Sequence, residues 1–133
     1  MHDPAAELAI LAGKLVRQLR RSSAVPKSYR VLATLDDIGP AGVSQLAVAD
    51  GISQPTMSNL VADLVAEGYV AKEPHPTDAR AQVVSLTDAG RRYLLENRAR
   101  ITSIVRGRLS DHSEAEVATA IAVLKSLTEK GTS

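Results

Sequence analysis

The sequence predicts a mainly α-helical chain carrying one small β-hairpin, and three observations predict it. Apolar residues recur at helical spacing through six separate stretches. Two short β-type runs, residues 69–73 and 82–86, flank one polar loop. The 133 residues include no Phe and no Trp, so the core must come from Leu, Val, Ile and Ala, a mixture that suits interdigitated helices. A chain of this length is most simply one domain, residues 1–133, burying roughly two-thirds of the surface its unfolded form exposes.

Taken in order, Leu8, Leu11, Leu15 and Leu19 keep helical spacing behind Asp3, which is suited to the N-cap, and Pro4, suited to the first helical position. The polar side of this helix carries Lys14, Arg17, Arg20 and Arg21, which read as a solubilising face. Tyr29, Val31, Leu32 and Leu35 mark a second helix that stops at "DDIGPAG". Ser44 is expected to cap a short third helix with Leu46, Ala47 and Val48, broken at Asp50-Gly51. Ser53 caps a fourth, with Pro55 in its first turn, where no N–H is needed. Met57, Leu60, Val61, Leu64 and Val65 form its apolar face, and Gly68 closes it. Two short helices joined by a brief Gly-containing turn make a helix-turn-helix.

Residues 69–73 and 82–86 then pair as a hairpin across "PHPTDARA". Thr87 caps a long helix, 88–108, that keeps Leu94, Ile101, Ile104, Val105 and, just beyond it, Leu109 on one side. Ser113 and Glu116 have capping-box spacing ahead of a last helix with Val117, Ile121, Val123, Leu124 and Leu127. The final "EKGTS" reads as frayed.

Composition excludes several function classes. There is no cysteine, hence no disulfide, thiolate metal site or thiol switch. His2, His75 and His112 lack zinc-ligand spacing, so no metal site is expected. In "SDHSE" the residues Ser110, Asp111, His112 and Ser113 are sequence neighbours pointing in different directions, whereas a triad is assembled from separated segments. No glycine-rich phosphate loop is present, and neither catalysis nor a cofactor is expected. No apolar run reaches the ~20 residues a bilayer requires, and the N-terminus lacks a signal-peptide layout. The expectation is a cytoplasmic protein without a membrane partner. With 16 Lys+Arg against 15 Asp+Glu, a nucleic-acid binder would have to concentrate its positive charge locally or double it by dimerisation.

Helix-turn-helix followed by a hairpin with a polar loop is the winged-helix arrangement. The fourth helix is shaped to enter a major groove about 12 Å wide. With Met57 at the centre of its buried face, Pro55, Asn59, Ala62 and Asp63 point outward, Thr56 and Ser58 lie on the flanks, and Gln54 is reachable from the first turn. Gln and Asn make bidentate contacts to adenine, and Ser and Thr hydroxyls suit phosphates. The DNA-binding candidates on this helix are Ser53, Gln54, Pro55, Thr56, Ser58 and Asn59.

The stretch from Gly42 to Arg91 resembles the core of the MarR family of bacterial transcription regulators. The likeness rests on Asp78-Ala79-Arg80, matching a "D-x-R" wing, and on Leu86-Thr87-Asp88-Ala89-Gly90, matching "L-T-x-x-G". Flanking helices of fitting number extend it over nearly the whole chain. The resemblance implies a winged helix-turn-helix (26–87), a long connecting helix (88–108) and terminal dimerisation helices (1–22 and 109–133). The dimer contacts would include Leu8, Leu11, Leu15, Val117, Ile121 and Leu124. It implies a homodimeric, sequence-specific regulator, usually a repressor, on a pseudo-palindromic double-stranded DNA operator. It leaves two modes of regulation open: release by a small aromatic or anionic effector, or activity without a ligand. In the wing, Lys72, Asp78 and Arg80 would serve DNA binding, with Arg80 in a minor groove. Asp78 would hold Arg80 or the wing backbone through a charge-assisted hydrogen bond, or simply form the turn.

The sequence also departs from the family pattern. Ala79 stands where many members have Arg, Glu73 follows Lys72, and Asn59 replaces a frequent arginine. With Asp63, these residues keep a second reading open: a winged-helix protein-interaction module without DNA binding.

Overall fold

A computed structural model describes residues 3–78 and 80–129. His2, Ala79 and residues 130–133 of the tail read as frayed lie outside them. Six helices and one hairpin follow in the order α1 (Pro4–Ser23), α2 (Ser28–Ile38), α3 (Val43–Asp50), α4 (Gln54–Ala66), β1 (Val70–Pro74), β2 (Gln82–Leu86), α5 (Asp88–Arg108) and α6 (Glu114–Glu129). The mainly helical class with a small hairpin is what the periodicity predicts.

Local chemistry sets the boundaries. The Asp3 carboxylate accepts the Ala5 N–H at 3.0 Å, and Pro4 opens α1. Helix α3 starts earlier than expected: Leu46 N–H already bonds the Gly42 carbonyl at 3.0 Å, so Gly42 is the N-cap and Ser44 lies inside the helix. A helix this short buries one side only. Leu46 and Ala47 take that side, and Val48 is left 82% exposed. Gly51 ends α3 in the left-handed region at φ 66°. Ser113 and Glu116 form the reciprocal capping box: Ser113 N–H donates to the Glu116 carboxylate at 2.9 Å, and Glu116 N–H donates to the Ser113 hydroxyl at 3.1 Å.

The core gathers Val31, Leu32 and Leu35 from α2, Leu46 and Ala47 from α3, Met57, Val61 and Leu64 from α4, Val70 and Val84 from the strands, Ala41, and Leu94 of α5. Strands β1 and β2 pair antiparallel with Val70 opposite Leu86 and Pro74 opposite Gln82. Ala41 adds a bridge to Val84, with N–H···O distances of 3.1 and 2.8 Å, and so ties the hairpin to the α2–α3 connection. Stacked rings of Tyr69 and Tyr93, 4.3 Å between centroids, pack against this core.

The chain divides between Ile101 and Thr102 into two compact units. The first holds α1 through the hairpin and most of α5; the second holds α6, which has no buried residue. Among the described residues no helix is long and apolar enough to cross a membrane.

Candidate nucleic-acid interface

Helix α4 is fixed at both ends. At its start the Ser53 hydroxyl accepts the Thr56 N–H at 3.2 Å and lies 2.8 Å from the Thr56 hydroxyl. At its end Gly68, with φ 82°, closes a Schellman turn: Gly68 N–H bonds the Val65 carbonyl, and Tyr69 N–H bonds that of Leu64, each at 3.0 Å. Burying Met57, Val61 and Leu64 fixes the rotation of the helix. Ser53, Gln54, Pro55, Thr56, Ser58 and Asn59 are all exposed, as are Ala62 and Asp63 further along. The structure thus brings the six candidate residues onto one solvent-facing end of a helix.

The wing is closed by its own backbone. His75 N–H donates to the Ala81 carbonyl at 3.0 Å, and Ala81 N–H donates to that of Asp78 at 3.1 Å. The Asp78 carboxylate accepts the Arg80 backbone N–H at 3.1 Å, while the Arg80 Nε stands 3.8 Å away. That second distance is an ion pair but too long for a hydrogen bond. Asp78 therefore shapes the turn through the backbone and only loosely restrains the guanidinium. The Arg80 side chain is 96% exposed at the tip, and Lys72 is exposed on β1.

Wing and α4 are joined by one hydroxyl. Thr87 Oγ1 donates to the Gly68 carbonyl at 2.6 Å and accepts the Gly90 N–H at 3.0 Å, while Thr87 N–H bonds the Tyr69 carbonyl at 3.1 Å. Gly90 packs against the same backbone, and a Cβ there would fall 2.0 Å from the Tyr69 carbonyl oxygen. The spacing in Leu86-Thr87-Asp88-Ala89-Gly90 thus clamps the end of α4, the start of β1 and the start of α5. On α5, Arg98 reaches Asp36 at 3.3 Å; hydrogen bonding to Tyr29 first, against the opposing effect of burial, and then to Asp36 raises its pKa.

A feature the sequence reading missed lies beside the helix-turn-helix. A cleft of about 870 Å³ is lined by Arg20, Arg21, Lys27 and Arg30, by apolar Val16, Leu19, Ile52, Leu60 and Ile101, and by Thr34, Asp50 and Thr56. Arg20 and Arg21, exposed on the polar face of α1, border this cleft. Burial and then repulsion from Arg30 lower the Arg20 pKa, with Asp50 opposing them. No short-range pattern announces the cleft, because its residues come from five helices, the α1–α2 linker and the α3–α4 turn. Among the described residues no cluster of His, Asp and Glu is arranged to hold a metal.

Residues 24–81 match the MarR family model. Over 90 residues the chain is 33% identical to an HTH-type transcriptional regulator of Mycobacterium leprae, a match covering 65% of this chain and 63% of that relative. The matched segment thus spans less than two-thirds of the relative's length. Among solved structures, the chain is similar to a MarR family protein from Bacillus stearothermophilus, with a TM-score of 0.76 and 20% identity over 97% of this chain and 96% of that one. It is also similar to wild-type MarR from E. coli, with a TM-score of 0.74 and 17% identity over 96% and 98%. The fold is the one these structures share.

Proposed function

We propose that this chain, whose residues 24–81 match the MarR family model and whose fold is that of solved MarR family structures, is a sequence-specific, DNA-binding transcription regulator acting as a homodimer in the cytoplasm, usually to repress. The family and the relatives it matches are transcriptional regulators, not enzymes. The observation that carries the reading is the pairing of an exposed polar α4 N-terminus with an exposed arginine at a wing tip, both held by rigid backbone connections. Gln54 and Asn59 supply amides for base edges, Ser53, Thr56 and Ser58 supply hydroxyls for phosphates, and Arg80 supplies the cation for a narrow minor groove.

A second copy completes the arrangement. Leu8, Leu11 and Leu15 on α1 are each about half exposed, and so are Ile121 and Leu124 on α6, where Val117 is partly exposed. Covering these stripes with a partner chain removes apolar surface from water and presents two α4 helices to half-sites about 10 bp apart. It also doubles Lys72 and Arg80 along one DNA face, which offsets a net charge of only +1.

The cleft supports release by a small ligand with an apolar body and an anionic group, since its lining combines aliphatic side chains with four cations and touches α4 at Thr56. Such a ligand acts only by preferring one of two states.

The test is fluorescence anisotropy with duplex DNA from upstream of the protein's own coding region, run across salt concentrations beside scrambled duplex. Selective binding that weakens as salt rises is expected, with a shallow slope because few cations face the DNA. Arg80→Ala should weaken binding about tenfold or more with unfolding unchanged. Equal binding to both duplexes overturns sequence-specific recognition, and no binding to either favours the interaction-module reading that exposed Asp63 and Glu73 encourage.

A further inference from the structure

The loop between β1 and β2 is bent by two side chains, each accepting a backbone N–H from two residues further on. At the second bend the acceptor is the Asp78 carboxylate, which takes the Arg80 N–H. At the first it is the imidazole of His75, whose Nδ1 stands 3.1 Å from the Thr77 nitrogen and 3.1 Å from the Thr77 hydroxyl. Pro76 lies between them, its fixed φ suited to the middle of a turn. His75 is also tied across the hairpin, since its N–H reaches the Ala81 carbonyl just beyond the last strand pair, Pro74 opposite Gln82. The imidazole thus sits where the paired strands become the loop that carries Arg80.

A backbone N–H can only donate, so His75 Nδ1 must offer a lone pair to Thr77. The ring proton is then on Nε2, and a second proton on Nδ1 would set two N–H groups against each other. The latch therefore holds only while the imidazole is neutral. Histidine is the side chain that changes charge between about pH 5 and 8. The other charged side chains of the described wing are Lys72 and Glu73 on β1 and Asp78 and Arg80 in the loop, and β2 adds none. Carboxylates, lysines and arginines ordinarily keep their charge over that range.

We propose that His75 is a positioning residue of the wing: its neutral imidazole latches Thr77 and so sets the loop that delivers Arg80 to DNA, and protonation opens the latch and weakens DNA binding. The proposal rests on the DNA-binding reading and adds a residue that acts through Arg80. Protonation also brings a cation toward phosphates, an effect of opposite sign. That attraction is screened over ~8 Å at 0.15 M salt, whereas the latch is a direct contact. At that ionic strength the loss of the turn governs.

Anisotropy at 0.15 M salt, with the upstream and scrambled duplexes at pH 8.0 and pH 5.5, compares the wild type with His75→Ala and His75→Asn. Asparagine accepts the N–H two residues on through its Oδ1 and does not titrate. The wild type should bind the upstream duplex roughly fivefold more weakly at pH 5.5, the order set by one exposed hydrogen bond. His75→Ala should bind that weakly already at pH 8.0. His75→Asn should match the wild type at pH 8.0 and keep its affinity at pH 5.5. The other two histidines, His2 and His112, are shared by all three proteins and cancel in the comparison. Nitrogen-15 NMR of the imidazole at pH 8.0 should show the proton on Nε2. Four results overturn the proposal and leave the DNA-binding reading standing: wild-type affinity equal or higher at pH 5.5, full affinity in His75→Ala at pH 8.0, the wild-type pH dependence in His75→Asn, or a proton on Nδ1 at pH 8.0. A wild type that prefers neither duplex at either pH overturns both readings together.

Discussion

The winged-helix core and the terminal helices treat their apolar residues in opposite ways. In the core, Leu32, Leu46, Met57, Leu64 and Val84 are all within 1% of complete burial, and the connections between elements are hydrogen-bonded at their ends. Along α1 the only buried residue is Ser23, and α6 has none. Yet Leu11, Leu15, Ile121, Leu124 and Leu127 repeat at helical spacing with about half of each side chain in solvent. One region has spent its hydrophobic residues inside the chain, and the other holds them outside it. Single exposed leucines are ordinary, but a stripe of them along one helix is the pattern that the proposed homodimer would cover. The same sequence therefore encodes a part whose apolar residues are covered within the chain and two helices whose apolar stripes are left open.

The sharpest break of that contrast is in the covered part. Gly90→Ala places a methyl group where the Tyr69 carbonyl stands, 2.0 Å away, and backbone cannot retreat as a flexible side chain does. A loss of about 4 kcal/mol is expected, enough to unfold a domain of ordinary stability, measured by urea denaturation. A variant that melted as the wild type does would show that the clamp between Thr87, Gly68 and Gly90 is dispensable.

The open stripes should respond differently. Leu11→Glu, or Ile121→Glu in a separate variant, adds charge to an exposed stripe. Each should weaken the dimer about a hundredfold or more, near 3 kcal/mol, as read by sedimentation equilibrium. The tyrosine near-UV dichroism from the stacked Tyr69–Tyr93 pair should persist, because the core keeps its contacts. An unchanged dimer in both variants would place the assembly surface elsewhere.

The features legible in the sequence were those set by neighbours along the chain. Asp3, Ser53, Thr87 and the Ser113–Glu116 pair act within about three residues, and each caps its helix as its spacing indicates. The apolar face of α4 was legible for the same reason, since one helical wheel fixes it. Ser44 was misjudged because the caps of α3 compete within two residues, and the extended backbone at Gly42 decides between them. Val48 lies in α3 as its spacing indicates, and periodicity over eight residues cannot say that its side is the one turned away from the core. The cleft was invisible because residues between positions 16 and 101 meet there only after folding. The role of Asp78 was half legible: turn chemistry is local, but the 3.8 Å gap to the guanidinium is a matter of side-chain geometry.

A smaller effect separates order at the interface from stability of the core. Ser53→Ala removes the hydroxyl that accepts the Thr56 N–H, a cap worth about 1 kcal/mol. Thermal unfolding should shift by a few degrees. DNA affinity should fall by more than the stability change requires, because the first turn of α4 carries the candidate contacts. If affinity and stability fall in strict proportion, Ser53 is a cap and not also a contact.

The smallest effect belongs to the second unit and depends on pH. The Glu116 carboxylate accepts the Ser113 N–H, interacts with the Ser113 hydroxyl and lies 3.8 Å from His112 Nδ1; the backbone bond first, then these two, hold its pKa below the ordinary 4.5. A carboxyl whose pKa is depressed on folding stabilises the folded form above its unfolded pKa and loses that contribution as pH falls through the lower, folded value. The benefit is therefore complete above about pH 5 and fades on acidification below the ordinary glutamate range. Glu116→Gln keeps an acceptor for Ser113 N–H but removes the charge. The wild type should melt slightly above this variant near pH 6, and the difference should close toward pH 3. Because Glu116 is exposed, salt should shrink the difference at the higher pH as well. A gap that instead widened in acid would mean that the capping box at the start of α6 draws nothing from the charge, and that its two hydrogen bonds alone set where the helix begins.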